Sequence, residues 1–144
     1  MVLRMACPTK RPGSDNWYFR RRIPADVQAI LAKMQACITK KQYGPFGGLN
    51  REFHMAIYDV IPERGLVKLI EQQWDQVPRA ASVFALVPEH AIIAQQEHIA
   101  IFDALKRGDA ETAANLTREH KLRARTVQAT AFAESTGNGS KKSV

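Results

Sequence analysis

Cysteine is scarce in this 144-residue chain: Cys7 and Cys37 stand far apart, with no metal-type spacing beside either. That excludes a disulfide framework and a cysteine-based zinc site, and a reducing cytoplasm is the expected compartment. Long apolar runs are missing too. None approaches the roughly 20 residues that cross a bilayer, so no membrane-spanning helix is expected. The opening MVLRMACPTKRPG has no apolar stretch of the kind that begins a secretory signal. The zinc-protease pattern H-E-x-x-H does not occur, and no internal repeat is visible. What remains, with 45% hydrophobic and 24% charged residues, is a soluble chain able to build one core of ordinary domain size.

Positive charge is in excess, and its distribution says more than its total of +7. Residues 1–49 hold nine Lys or Arg against Asp15 and Asp26. Residues 50–134 hold ten basic and twelve acidic residues, and Lys141 and Lys142 follow in the tail. The surplus therefore belongs to one end, and the larger body is close to neutral.

The N-terminal piece reads as irregular up to Pro24, with Pro12 and Gly13 as turn chemistry and an extended stretch from Trp17 to Phe19 running into Arg20, Arg21 and Arg22. Pro24 suits the first turn of a helix with Val27, Ile30, Leu31 and Met34 on one face. Gly44, Pro45, Gly47 and Gly48 break the chain and mark a boundary. This gives a basic segment over 1–48, a helical body over 49–134 and a tail over 135–144 that is expected to be disordered. In the body, helices are expected from Leu49 to Ile61, from Glu63 with Leu66, Leu69, Ile70 and Trp74 on one face, and from Pro88 to Arg107. Pro78 should kink or split the second. Gly108 ends the third, and Asp109 is the N-cap of a fourth helix from Ala110 to about Phe132. The body is thus all-α and bundle-like.

Helical faces sort the four histidines. His54 shares its stripe with Asn50, Ile57 and Ile61, His98 with Phe102 and Leu105, and His120 with Ala113, Leu116, Ala124 and Val127. Three histidines from three helices therefore point toward one interior. His90, at a helix start with Ala94 but also Glu97 on its stripe, is expected to face solvent. Two readings stay open for the inward set. They are core imidazoles satisfied by their neighbours, or they are ligands of a divalent ion that satisfies all three at once. Three imidazoles, an oxygen donor and open positions suit Zn²⁺ and accept Ni²⁺ or another late transition ion. Asn50, one turn before His54, offers an amide oxygen. The open positions invite a carboxylate or a hydrolytic water, and hydrolysis needs a positioned base. Glu97 and Glu119 each precede a histidine and lie about 100° off its stripe. Both are therefore placed on the solvated face or behind the ligands, and no enzyme is expected. Arg79, after Pro78, is the candidate partner for a bound carboxylate.

A family resemblance rests on Leu49-Asn50-Arg51-Glu52-Phe53-His54, Leu69-Ile70-Glu71-Gln72-Gln73-Trp74, Glu97-His98 through Leu105, Gly108-Asp109-Ala110 and Arg118-Glu119-His120, in that order. This set resembles the C-terminal effector-binding (FCD) domain of GntR-family bacterial transcription regulators of the FadR type, over roughly residues 49–130. The resemblance implies an antiparallel helical bundle whose interior binds a metal and a small organic acid effector. It places the metal ligands at Asn50, His54, His98 and His120, with Asn50 standing where the family usually carries Asp. The family's first helices have no counterpart after Gly48, so the bundle reads as truncated, with a homodimer mate or partner chain to cover it. The family's winged helix-turn-helix is not resembled by residues 1–48, so DNA enters only through the family.

Residues Arg11 to Val27 are similar instead to the extreme N-terminus of phage-type tyrosine recombinases. The catalytic domain of those enzymes has no counterpart here, so Tyr18 and Tyr43 read as surface or packing aromatics. The leading functional expectation is a ligand-sensing domain without its own operator-reading module. The alternatives are a small basic protein binding nucleic acid nonspecifically through Arg20–Arg22 and the aromatics beside them, or the remnant of a rearranged gene.

Overall fold

The computed structural model describes residues 8–10, 17–19, 26–75 and 80–137. In chain order the elements are β1 (Pro8–Lys10), β2 (Trp17–Phe19), α1 (Asp26–Thr39), α2 (Tyr43–Tyr58), α3 (Arg64–Asp75), α4 (Ala80–Leu86), α5 (Pro88–Lys106) and α6 (Ala110–Gly137). The class is all-α, a helical bundle. The one departure is the N-terminal ribbon, where β1 and β2 pair antiparallel with Thr9 opposite Tyr18. That segment had read as irregular, and the Pro12-Gly13 turn chemistry lies between the two strands, outside the described residues.

Helix α1 buries Val27, Ile30, Leu31 and Met34, the four positions its periodicity marks. They do not close on themselves. Phe46 and Phe53 of α2, Val83 and Phe84 of α4, and Ala91, Ala94 and Phe102 of α5 complete the same cluster. Phe46 meets Phe84 edge to face with ring centroids 4.8 Å apart. Gln95 adds a polar tie from α5, its amide donating to the Leu31 carbonyl at 3.0 Å. Helix α1 is therefore part of the core built by the helices that follow it.

Residues 44–48, expected to break the chain, lie inside α2. The physical reason is position. Pro45 falls in the first turn, where a backbone N–H has no intrahelical acceptor to lose, and Phe46 and Gly47 are buried there. The turn before it closes α1 in a Schellman arrangement: Gln42 N–H donates to the Cys37 carbonyl at 2.8 Å and Lys41 N–H to Ile38 at 3.0 Å. Lys41 takes the left-handed conformation, at φ 54°, that such a turn ordinarily gives to glycine.

The other end of the bundle follows expectation more closely. Gly108, at φ 69°, closes α5 with the same pair of bonds, from Asp109 N–H to Ala104 and from Gly108 N–H to Leu105. Asp109 caps α6, its carboxylate accepting from the Thr112 backbone N–H at 3.1 Å. The short links over 40–42 and 107–109 make α1 and α2, and α5 and α6, antiparallel neighbours. Helix α6 runs on to Gly137, five residues beyond its expected end at Phe132. Ala131, Ala133 and Glu134 favour continuation. The remainder of the expected tail lies outside the described residues. No helix among the described residues is long and apolar enough to cross a membrane.

Candidate metal centre

Asn50 and His54 stand one turn apart on α2, His98 lies in the middle of α5 and His120 in the middle of α6. All four are buried. The three imidazoles meet through the same atom: His120 Nε2 lies 3.3 Å from His98 Nε2 and 3.3 Å from His54 Nε2. One ligand atom from each histidine can be chosen so that all three lie within 4.8 Å of one another. The rings are held by aromatic neighbours. Phe53 packs on His98 with centroids 4.4 Å apart, and His54 lies between Trp74 and Tyr58 at 5.9 and 6.0 Å.

Burial keeps these imidazoles neutral. Desolvation pushes the pKa of His54 and His98 well below the usual histidine value, and the neighbouring cations and histidines push the same way. His120 is also lowered by desolvation, with Glu97 opposing the shift. Glu97 lies behind the cluster. One carboxylate oxygen accepts from His120 Nδ1–H at 2.8 Å, and the other accepts from Arg123 Nε at 2.8 Å. A carboxylate only accepts, so the proton of His120 sits on Nδ1 and its Nε2 lone pair faces His54 and His98.

That arrangement is poorly satisfied by hydrogen bonding alone. The single lone pair of His120 Nε2 has two equidistant neighbours and can accept well from only one. Buried Asn50 Oδ1, a donor that an ion could take, has no hydrogen-bond partner among the described residues. A tetrahedral ion about 2.0–2.1 Å from each nitrogen would set its ligands about 3.3–3.4 Å apart, which is the separation the two Nε2 contacts show. The donor set thus fits a late divalent ion on the two separations from His120, on charge state and on the orientation of the His120 lone pair.

Asn50, His54 and His120 also line a cavity of about 400 Å³. Its apolar wall includes Leu69, Ile70 and Trp74 of α3, Phe84 of α4 and Ala124 of α6. This explains a departure in α3. The expected face of Leu66, Leu69, Ile70 and Trp74 does not enter the core; Val67 is its buried residue, and Leu66 and Leu69 remain 50% and 58% exposed. Two cations reach the cavity, Lys121 and Arg125. Lys121 holds its ammonium 5.3 Å over the Trp74 ring, and burial lowers its pKa to about 8.

The structure brings together Asn50, His54, His98 and His120. Arg79, the expected carboxylate partner, lies outside the described residues, as do Arg20–Arg22. His90 requires correction: it is buried, 3% exposed, and its ring lies flat on Phe84 at 5.1 Å. Its place at a helix start suggested solvent. However, residues 90, 94 and 98 form one stripe of α5, and α4 supplies an aromatic cover that no local pattern announces. Glu97 was read as solvated or behind the ligands, and it stands behind His120. Lys121 belongs to no motif of the sequence. Its only signal was adjacency to His120.

Comparison with known families gives one match, the FCD domain, over residues 20–123. No curated protein and no solved structure gives a match. The matched span takes in α1 and the start of α2, which the sequence had grouped with the basic leader.

Proposed function

The chain belongs to the FCD domain family, the ligand-sensing domains of GntR-family transcription regulators, and on that footing we propose that it senses a small organic acid through a divalent ion held by His54, His98 and His120. The observation that carries this is the convergence of three neutral, buried imidazoles through Nε2. Zinc suits the donor set best, with nickel or another late transition ion next. Asn50 is the fourth protein donor, its Oδ1 buried without another partner beside His54.

When bound, the ion supplies a positive centre with open coordination positions for a carboxylate. The chain's own residues supply the rest. Glu97 and Arg123 fix the tautomer of His120, and Trp74 and Phe53 hold the ring planes. Lys121 and Arg125 place positive charge at the cavity wall, where an anionic ligand benefits from it. Arg79 is a further candidate for that role. Regulation of DNA binding follows from the family, with the occupied and empty cavity as the two signalling states.

Metal analysis of the purified chain tests the reading. About one zinc per chain is expected, with loss of that metal in His98→Ala and His120→Ala. A wild-type chain without stoichiometric metal, together with variants that change neither metal content nor the melting temperature in added zinc, overturns it.

A further inference from the structure

The cavity carries a polar group that the metal centre does not use. His90 lines it and is 3% exposed; its Nδ1 is sealed from the cavity and has no hydrogen-bond partner among the described residues, which leaves Nε2 as the ring nitrogen that reaches the cavity. A buried imidazole nitrogen without a partner is costly, and the flat stack on Phe84, with planes 7° apart, holds the ring in place. The side chain is thus fixed at the cavity wall, and the nitrogen it offers a ligand there is Nε2. Desolvation lowers its pKa as well, so it presents a neutral ring.

Its position relative to the histidine cluster defines what it can meet. His90 and His98 share one stripe of α5 two turns apart, which separates their backbones by about 12 Å along the helix axis. Between them on that stripe is Ala94, the smallest side chain that the face could carry. Ile70, Phe84 and Ala124 give the cavity apolar lining beside its polar groups Gln73 and Gln128. A volume of about 400 Å³ suits a small elongated molecule.

From this we infer that His90 is a specificity-determining contact, selecting acids that carry a second oxygen at the end remote from the carboxylate. The ligand class is an ω-hydroxy or ω-oxo carboxylic acid with an apolar middle. Its carboxylate lies toward His54 and His120 and its far oxygen is hydrogen-bonded to His90. The inference rests on the proposed carboxylate site, and adds the requirement for two heads.

The test uses the full chain loaded with zinc and three matched pairs of probes: 4-hydroxybutyrate and butyrate, 6-hydroxyhexanoate and hexanoate, 8-hydroxyoctanoate and octanoate. Affinities are read by calorimetry. In the wild type at least one hydroxy acid should bind about three- to tenfold more tightly than its unsubstituted partner, the net worth of one hydrogen bond. His90→Phe keeps the stack on Phe84 and removes the nitrogen. It should abolish the preference while leaving the unsubstituted acid within twofold, which also reports that the variant is folded. His90→Gln, whose amide reaches the place of Nε2, should restore part of the preference. A wild type that binds the acids without preference, or a preference that survives in His90→Phe, overturns the role of His90 and leaves the carboxylate site standing. If no acid of either kind binds the zinc-loaded wild type, the carboxylate site falls and this inference falls with it.

Discussion

Glu97→Gln separates the metal centre from an ordinary buried histidine cluster. The substitution keeps size and shape but replaces a group that only accepts with one that can also donate. When the amide donates to His120 Nδ1, the imidazole proton moves to Nε2, the nitrogen that faces His54 and His98. Loss of such a supporting carboxylate typically weakens metal binding about 10- to 100-fold. With zinc at about 1,000 times the wild-type Kd, binding adds about 4.1 kcal/mol to stability; at the same zinc the variant should gain about 1.4–2.7 kcal/mol. For a chain of 144 residues the unfolding entropy is about 0.3 kcal/mol/K. The zinc-induced rise in Tm should then be about 14 °C in the wild type and about 5–9 °C in the variant. In EDTA the two should melt within about 3 °C of each other, because the Glu97–Arg123 ion pair is half-exposed on the arginine side and contributes little. Differential scanning fluorimetry with and without zinc reads all four values. An equal zinc shift in both proteins, or a variant whose whole loss appears in EDTA, refutes the reasoning.

Three further outcomes follow from the geometry. In EDTA, stability should fall as pH drops below about 6.5, because His54, His90, His98 and His120 bind protons more weakly folded than unfolded, so unfolding takes up protons in that window; urea midpoints that agree at pH 7.5 and pH 5.5 would contradict this. Met34→Ala should cost about 2–5 kcal/mol in urea unfolding, since Met34 is fully buried in the cluster shared with α2, α4 and α5, and a loss under about 1 kcal/mol would show that α1 is peripheral. Lys41→Gly should raise Tm by about 3 °C by relieving about 1 kcal/mol of left-handed backbone strain, and a lower Tm would mean that the Lys41 side chain contributes more than its backbone costs.

Periodicity worked well wherever one helix face settled the matter. Val27, Ile30, Leu31 and Met34 are all buried, and the caps at Gly108 and Asp109 lie where their chemistry requires. It failed at Gly44–Gly48, because a proline in a first turn and a proline in a loop look the same until the helix register is known. It also failed at α3, whose apolar stripe borders a cavity instead of a core. A stripe marks an apolar face without saying what covers it: Ile70 and Trp74 line the cavity, while Leu66 and Leu69 stay at least half-exposed. For His90 the local pattern pointed outward, and the Phe84 ring that covers it comes from another helix.

Determined by the sequence alone were the class, the turn at Gly108 and Asp109, the inward direction of His54, His98 and His120, and the family pattern on which they lie. Each is a property of residue order within one turn or one helix, set by backbone geometry and side-chain period. Tertiary structure alone decided that His120 Nε2 lies 3.3 Å from both His54 Nε2 and His98 Nε2, that Glu97 stands behind His120, that the leader's helix is part of the core, and that His90 lines the cavity. Those depend on how helices far apart in the chain cross and pack, and no window of neighbouring residues contains that information.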